Sequence, residues 1–285
     1  MHNQVVPTFD ILNLLNDLRI EGKPSSEYIS SATSAQQLYN EKNTDIYLNG
    51  IGSVTLPYFS MGVVSSKNLL SLNELIIFAI YLSQKNVYQR CLDLGANVGL
   101  HSVILEKLGM LVDAYEPDDL HHERLLSTLL INNCVNVNTN KSAVTTVDGI
   151  FTYVQVQDNL TSSHIKGATG KNPYGPLNEI EVKGKSIRKI LNEVKYDIVK
   201  MDVEGYEMYL LNSLSESVFF VTDFIIEIGS EEARLNIFNQ FKKFNSKIKI
   251  YSQKIDWNAS ISVDDLPCSH KEGSVFISAR RSPFE

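Results

Sequence analysis

Cysteine is scarce in this 285-residue chain: Cys91, Cys134 and Cys268, an odd number at wide spacing with no C-x-x-C pair. That excludes a disulfide framework and a cysteine zinc site. Cys91 and Cys134 fall in predicted strands and read as small core hydrophobes. Long apolar runs are also missing. The longest strong one, Leu75 to Leu82, is far too short to span a membrane. The opening Met1-His2-Asn3-Gln4-Val5-Val6-Pro7 lacks the basic and apolar regions of a signal peptide. Positive charge is in deficit, with 26 Lys and Arg against 33 Asp and Glu for a net charge of −7. This is the wrong balance for bulk attachment to nucleic acid. With 43% hydrophobic and 21% charged residues, the expectation is a reduced, cytoplasmic globular protein.

What the chain does have is Cys91-Leu92-Asp93-Leu94-Gly95-Ala96-Asn97-Val98-Gly99-Leu100: an apolar strand carrying an acid, a glycine turn, and the start of a helix. A second strand, Leu111-Val112-Asp113-Ala114-Tyr115-Glu116-Pro117, follows and ends in an acid. An open α/β sheet holds an adenosine-containing cofactor in this way. Glycines let the chain turn and approach closely, and the second carboxylate accepts from ribose hydroxyls. A dinucleotide fingerprint would read G-x-G-x-x-G, but here Asn97 stands where the middle glycine would be. A side chain there obstructs a pyrophosphate, whereas Asp93 and Asn97 offer partners to the amine and carboxylate of a methionine moiety. The pattern favours S-adenosylmethionine over NAD.

Residues 1–88 read as an N-terminal extension, a surface for substrate or a homodimer contact. It has an amphipathic helix over Phe9–Ile20, a polar stretch Lys23–Gln37 as loop or short helix, and short strands or a hairpin over Tyr47–Val64. A capping box, Ser71-Leu72-Asn73-Glu74, then opens a helix to about Gln84. Residues 89–285 alternate strand and helix, which predicts a mostly parallel sheet with helices on both faces. A hairpin turning at Asp148-Gly149 and a long surface loop, Asn159–Asn178, interrupt it. His121 and His122 are adjacent and read as exposed.

A second acidic cluster, Asp197-Ile198-Val199-Lys200-Met201-Asp202-Val203-Glu204-Gly205-Tyr206-Glu207, lies at a strand's carboxyl end. Strand alternation would point Lys200, Asp202 and Glu204 the same way, into the crevice where such sheets bind ligands. Glu227, inside the apolar Phe224–Ile228, is a candidate for the same wall. The plainer reading is a Lys200–Asp202 ion pair beside a solvated helix start.

Together, Leu92–Gly99 and Ile198–Glu207 resemble the FkbM-type family of S-adenosylmethionine-dependent methyltransferases, over roughly residues 90–229. The resemblance implies a class I, Rossmann-like, mostly parallel seven-stranded sheet. It also implies cofactor contacts from Asp93, Gly95, Ala96, Asn97, Gly99, Glu116, Pro117 and Asp202. Adenine would lie near Ser142 and Ala143 in the stretch Asn140–Val144. Family members typically methylate hydroxyls of sugars or natural products. One departure is that the family often carries a histidine two residues after the acid equivalent to Glu227, where this chain has Gly229.

A hydroxyl acceptor loses its proton during attack, so a base is needed within reach. The candidates are Glu204 and Asp202, with His164 in the long loop as an outside choice. Lys200, Glu227 and Tyr174 are the expected acceptor contacts, and Tyr47, Tyr58, Phe59 and Tyr174 a candidate aromatic wall for sugar rings. Asp202, Glu204 and Glu227 could gather round a hard divalent cation; no His or Cys spacing supports a transition metal, and no metal is predicted. Two rival readings stand beside a small-molecule or glycan O-methyltransferase. One is a nucleic-acid methyltransferase, disfavoured by charge and by the absence of Asp-Pro-Pro-Tyr or Asn-Pro-Pro-Tyr. The other is a non-catalytic scaffold, disfavoured by four intact acids.

Overall fold

Alternate side chains of a strand face opposite ways, and around Cys91 both directions are apolar: Cys91 joins one buried cluster, Leu92 and Leu94 another. A strand buried on both faces belongs inside a parallel sheet. The computed structural model describes residues 5–169, 175–244 and 247–285. Its main sheet comprises β1 (Arg90–Leu94), β2 (Leu111–Tyr115), β3 (Val137–Asn140), β4 (Ile198–Met201), β5 (Asp223–Glu227), β6 (Lys249–Ser252), β7 (Asn258–Ala259) and β8 (Ser274–Ser278). The order is β3-β2-β1-β4-β5-β8-β6-β7. Strands β1 to β5 are parallel, and β8 runs antiparallel between β5 and β6. This is the class I methyltransferase arrangement. It has eight described strands rather than the seven expected, the addition being the two-residue edge strand β7.

Among the described residues there are eight α-helices: α1 (Ile11–Glu21), α2 (Ser26–Leu38), α3 (Leu72–Ser83), α4 (Leu100–Lys107), α5 (Asp119–Ile131), α6 (Ile187–Glu193), α7 (Glu207–Ser213) and α8 (Glu231–Phe241). Helices α6, α7 and α8 cover the Leu92 face, with Ile190, Leu211 and Ile237 in its cluster. Helices α3, α4 and α5 cover the Cys91 face, where Phe78, Val103 and Leu125 pack with Ile198 and Ile225. The same cluster takes in Ile11, Leu14, Leu15 and Leu18 of α1 and Ile46 and Leu48 of the extension. Helix α3 therefore lies between α1 and the sheet. That explains why Leu75–Leu82, the longest apolar run, is buried at every position. A three-stranded sheet (Thr8–Asp10, Asp45–Asn49, Gly52–Thr55) completes the extension.

Several local expectations change. The polar stretch after Lys23 is the 13-residue helix α2, because Ser25 caps it and Tyr28, Ala32 and Ala35 supply a buried stripe at helical spacing. Ser71 makes no side-chain cap bond, and Glu74 lies 2.9 Å from His101 Nε2 instead of closing the box. Asp148-Gly149 is no hairpin turn. Strand Gly149–Val156 pairs antiparallel with Leu177–Ser186 from Gly149 opposite Gly184 onward, so the chain reverses later, beyond Val156. These strands form a second sheet with Ala143–Thr145 and His164–Ile165, and part of the expected surface loop is ordered within it. Among the described residues, no helix is long and apolar enough to cross a membrane.

Candidate active site

Strand order reverses at β1: β2 lies on one side of it and β4 on the other. In an open α/β sheet, ligands bind in the crevice outside the carboxyl ends at such a switch point. Here the two segments leaving β1 and β4 nearly touch. A Cβ on Gly95 (φ +73°) would lie 1.9 Å from the Asp202 carbonyl oxygen, so only glycine fits. Asn97 also takes a left-handed conformation, φ +51°, which asparagine tolerates better than most residues.

The loop is held from its neighbour. Gly95 N and Ala96 N both donate to the Tyr115 carbonyl at 3.0 Å. Asn97 N donates to Glu116 Oε2 at 2.9 Å, and Asp118 N to Glu116 Oε1 at 2.9 Å. Glu116 is buried, and that burial pushes its carboxyl up to about 7 despite both backbone donors. Asp118 in turn caps α5 through Leu120 N and His121 N.

These residues wall a cleft of about 590 Å³. Gly95, Asn97, Glu116, Pro117, Ala143 and Asp202, all expected cofactor contacts, line it together with Glu204. Tyr153, Leu160, Thr161, Ser163 and Ile165 of the second sheet and its adjoining turn close another side. Glu204 reaches the cleft by a different route from strand alternation. Strand β4 ends at Met201, and Glu204 sits at φ +54°, which breaks the period-two pattern. Glu207 braces the loop, accepting from Val203 N at 2.9 Å and Gly205 N at 3.1 Å.

Asp93 and Lys200 are register partners on adjacent strands and lie on the α3 face. Asp93 is fully buried and accepts from Ser102 Oγ at 2.7 Å. It stands beneath the glycine turn rather than on the cleft wall. Lys200 Nζ donates to Gly95 O at 2.8 Å and lies 3.6 Å from both Asp93 Oδ1 and Asp202 Oδ2. Burial works against its charge, but Asp202 and Asp93 outweigh it and leave its pKa raised.

A second cleft, of about 500 Å³, opens on the α3 face, lined by Asn73, Glu74, Lys200, Glu227, His270 and Ser274 among others. Asp202 lines both clefts. Glu227 Oε1 is 2.7 Å from His270 Nδ1. Burial, then Asp202, pushes its carboxyl up to about 8, with His270 opposing.

Other expectations separate from the site. Ala96, Gly99 and Ser142 shape the turns behind the first cleft without lining it. A Cβ on Gly99 would meet Leu125 Cδ1 at 2.6 Å, so that glycine serves helix packing. His164 lies between Ser163 and Ile165, which line the cleft, but is not itself on the wall. Its Nδ1 bonds the Ser162 carbonyl at 2.8 Å. Tyr58 and Phe59 pack against the core, Phe59 under the Arg124 guanidinium, and neither they nor Tyr47 line a cleft. Tyr174 lies outside the described residues. Asp202, Glu204 and Glu227 divide between the two clefts, and no group of three His, Cys, Asp or Glu suited to a metal occurs among the described residues.

Sequence reasoning missed His121 and His270. His121, expected to be exposed, is only 2% exposed and lines the first cleft. Its place immediately behind the Asp118 cap, on the first turn of α5, was the available signal. His270 gave none, because its approach to Glu227 spans 43 residues of sequence.

The fit of S-adenosylmethionine can be tested on these walls. Two buried polar atoms of residues lining the first cleft, Asn97 Oδ1 and His121 Nε2, have no hydrogen-bond partner within the protein, and buried polar groups are rarely left so. Glu116, Asp202 and Glu204 give the cleft negative walls, suited to a ligand carrying a sulfonium and an ammonium. The residues fit.

A family model described as the methyltransferase FkbM domain matches residues 93–252. No curated protein sequence matches. Among solved structures, a human methyltransferase 10 domain containing protein is similar at 11% identity and TM-score 0.40, covering 74% of this chain and 82% of that one. An O-methyltransferase from Bacillus cereus, in complex with SAH, gives 9% and 0.39, covering 94% and 96%. An rRNA methylase from Streptococcus thermophilus gives 8% and 0.36, covering 70% and 92%. Likenesses this remote leave the acceptor open.

Proposed function

The chain belongs to the FkbM methyltransferase family, and is an S-adenosylmethionine-dependent methyltransferase; on that premise we propose that it transfers the methyl group to a hydroxyl of a sugar or natural-product small molecule. The carrying observation is that Asp202 forms a wall common to two clefts. One carries residues expected to hold the cofactor, and the other, polar, is adjacent to it.

When bound, S-adenosylmethionine supplies an electrophilic methyl on a sulfonium. In this reading Glu116 accepts from the ribose hydroxyls, and the Asn97 carbonyl oxygen accepts from the methionyl ammonium. Ala143 and Pro117 would flank the adenine. Asp202 and Glu204 would hold the positive end of the cofactor. Displacement at the methyl requires the acceptor oxygen in line, so alignment by fixed walls carries much of the rate. Titration calorimetry with S-adenosylmethionine and S-adenosylhomocysteine, with NADH as control, tests the cofactor site. Transfer of radiolabelled methyl to hydroxylated sugars, polyketides and RNA side by side tests the acceptor. Labelling of RNA alone would overturn the proposal.

A further inference from the structure

The second cleft holds machinery that the cofactor site does not use. His270 sits on a short 3₁₀ turn, His270–Glu272, far in sequence from β5. Glu272 Oε2 accepts from Cys268 N at 2.8 Å, pinning that turn. Gly229, just beyond β5, makes room for the ring: a Cβ there would lie 2.6 Å from His270 Cε1 and 2.7 Å from Nε2. The imidazole is thus seated against β5 with Nδ1 on the Glu227 carboxylate, while its side chain stays 46% exposed. With Nδ1–H donated to Glu227, Nε2 is the basic atom of the ring.

We propose that the second cleft is the acceptor site for a neutral, polyhydroxylated molecule of sugar size, and that His270, oriented by Glu227, accepts the proton of the hydroxyl being methylated. This rests on the hydroxyl-acceptor reading above. Three carboxylates, Glu74, Asp202 and Glu227, face the cleft. They accept from hydroxyl donors and disfavour an anionic acceptor. Apolar wall is limited to such residues as Ile77, Met201 and Ile225, too little for a flat hydrophobic ring system. The step balances. The oxygen–carbon bond forms as the methyl–sulfur bond breaks, and that electron pair stays on sulfur. The hydroxyl proton passes to Nε2, and the imidazolium, held against Glu227, releases it to solvent. Glu227 is a positioning residue and His270 the catalytic one.

The test begins with histidine-labelled protein loaded with S-adenosylhomocysteine, the His270 imidazole signals being assigned by their loss in His270→Gln. Methyl glycosides of the common neutral hexoses are then titrated in. Saturable movement of the His270 signals by at least one glycoside is expected, and no movement by any would overturn the proposal. With the responding glycoside and radiolabelled cofactor, His270→Gln should lower kcat about 100-fold, with the glycoside KM and the cofactor Kd within about twofold of wild type. Glu227→Gln should lower the pH at which the His270 ring titrates and move the pH profile of kcat by the same amount, and the second shift is one that a merely structural contact would not produce. Unchanged kcat in His270→Gln would sink the assignment while leaving the methyltransferase reading intact. Failure of the wild type to bind S-adenosylhomocysteine, seen by calorimetry before any glycoside is added, would bring down both.

Discussion

The ammonium of Lys200 donates to the carbonyl oxygen of Gly95 at 2.8 Å, tying the end of β4 to the turn that leaves β1. The same nitrogen is 3.6 Å from Asp93 Oδ1, a buried atom with no hydrogen-bond partner of its own. Lys200 therefore neutralises an acid below the turn and fixes the turn above it. Removing one partner of a buried pair leaves the other charge uncompensated, at a cost of about 3–5 kcal/mol. Lys200→Met is expected to lose stability on that scale in urea denaturation and to weaken S-adenosylmethionine binding at least about tenfold. Wild-type stability would show that the Lys200 charge gives Asp93 no net compensation.

Gly95→Ala separates fold from site. The new Cβ would overlap the Asp202 carbonyl oxygen, in a backbone conformation that L-residues adopt at a cost of about 1–2 kcal/mol. The two segments must part, and Asp202 moves with them. The expected result is a native far-ultraviolet circular dichroism spectrum with cofactor binding lost in calorimetry. Retained binding would mean that the crevice tolerates a wider gap than its geometry implies.

The glycine turn, the acid ending β2 and the strand-helix alternation were legible because they are local. Each is a few residues whose spacing dictates backbone shape, as Gly95 and Glu116 illustrate. The strand ends beyond Met201 were not, because alternation fails once the chain leaves the ladder, and Glu204 turns over at positive φ. Non-local juxtapositions were also hidden. His270 meets Glu227, and Glu74 of the extension meets His101, through packing that no spacing encodes. The second sheet escaped notice for a related reason. Its long strands carry polar outer faces, so Leu177–Ser186, with five exposed residues, drew no strand assignment.

The buried Glu116 predicts a pH dependence of definite sign. Its folded pKa is raised from 4.5 to about 7. The folded state thus holds a proton that the unfolded chain releases, and the associated stability is full below about 4.5 and lost as pH rises through about 7. The ligand-free protein should melt at lower temperature at pH 8 than at pH 5.5. The slope should shrink in Glu116→Gln, leaving Glu207, likewise raised to about 7, and Glu227, raised to about 8, to supply the remainder. A positively charged cofactor favours the ionised carboxylate, so S-adenosylmethionine affinity should rise about tenfold between pH 6 and pH 8. An affinity flat across that range, measured by calorimetry, would remove Glu116 from the contacts.

His121 offers the sharpest separation of stability from binding. Its Nε2 is buried on the first cleft without a protein partner. Burial, and behind it Arg124, lowers its pKa, while Asp118 pulls the other way. An unsatisfied buried polar group costs about 1–3 kcal/mol, so His121→Leu, close in volume and apolar, should leave the melting temperature of the ligand-free protein unchanged or higher. If the ring bonds the cofactor, the same variant should bind S-adenosylhomocysteine about tenfold more weakly, at about 1.4 kcal/mol per decade. The two measurements move in opposite directions only if the orphan nitrogen is a binding atom. A loss in both would mark His121 as a packing residue of α5, and equal affinity would take it out of the cofactor contacts.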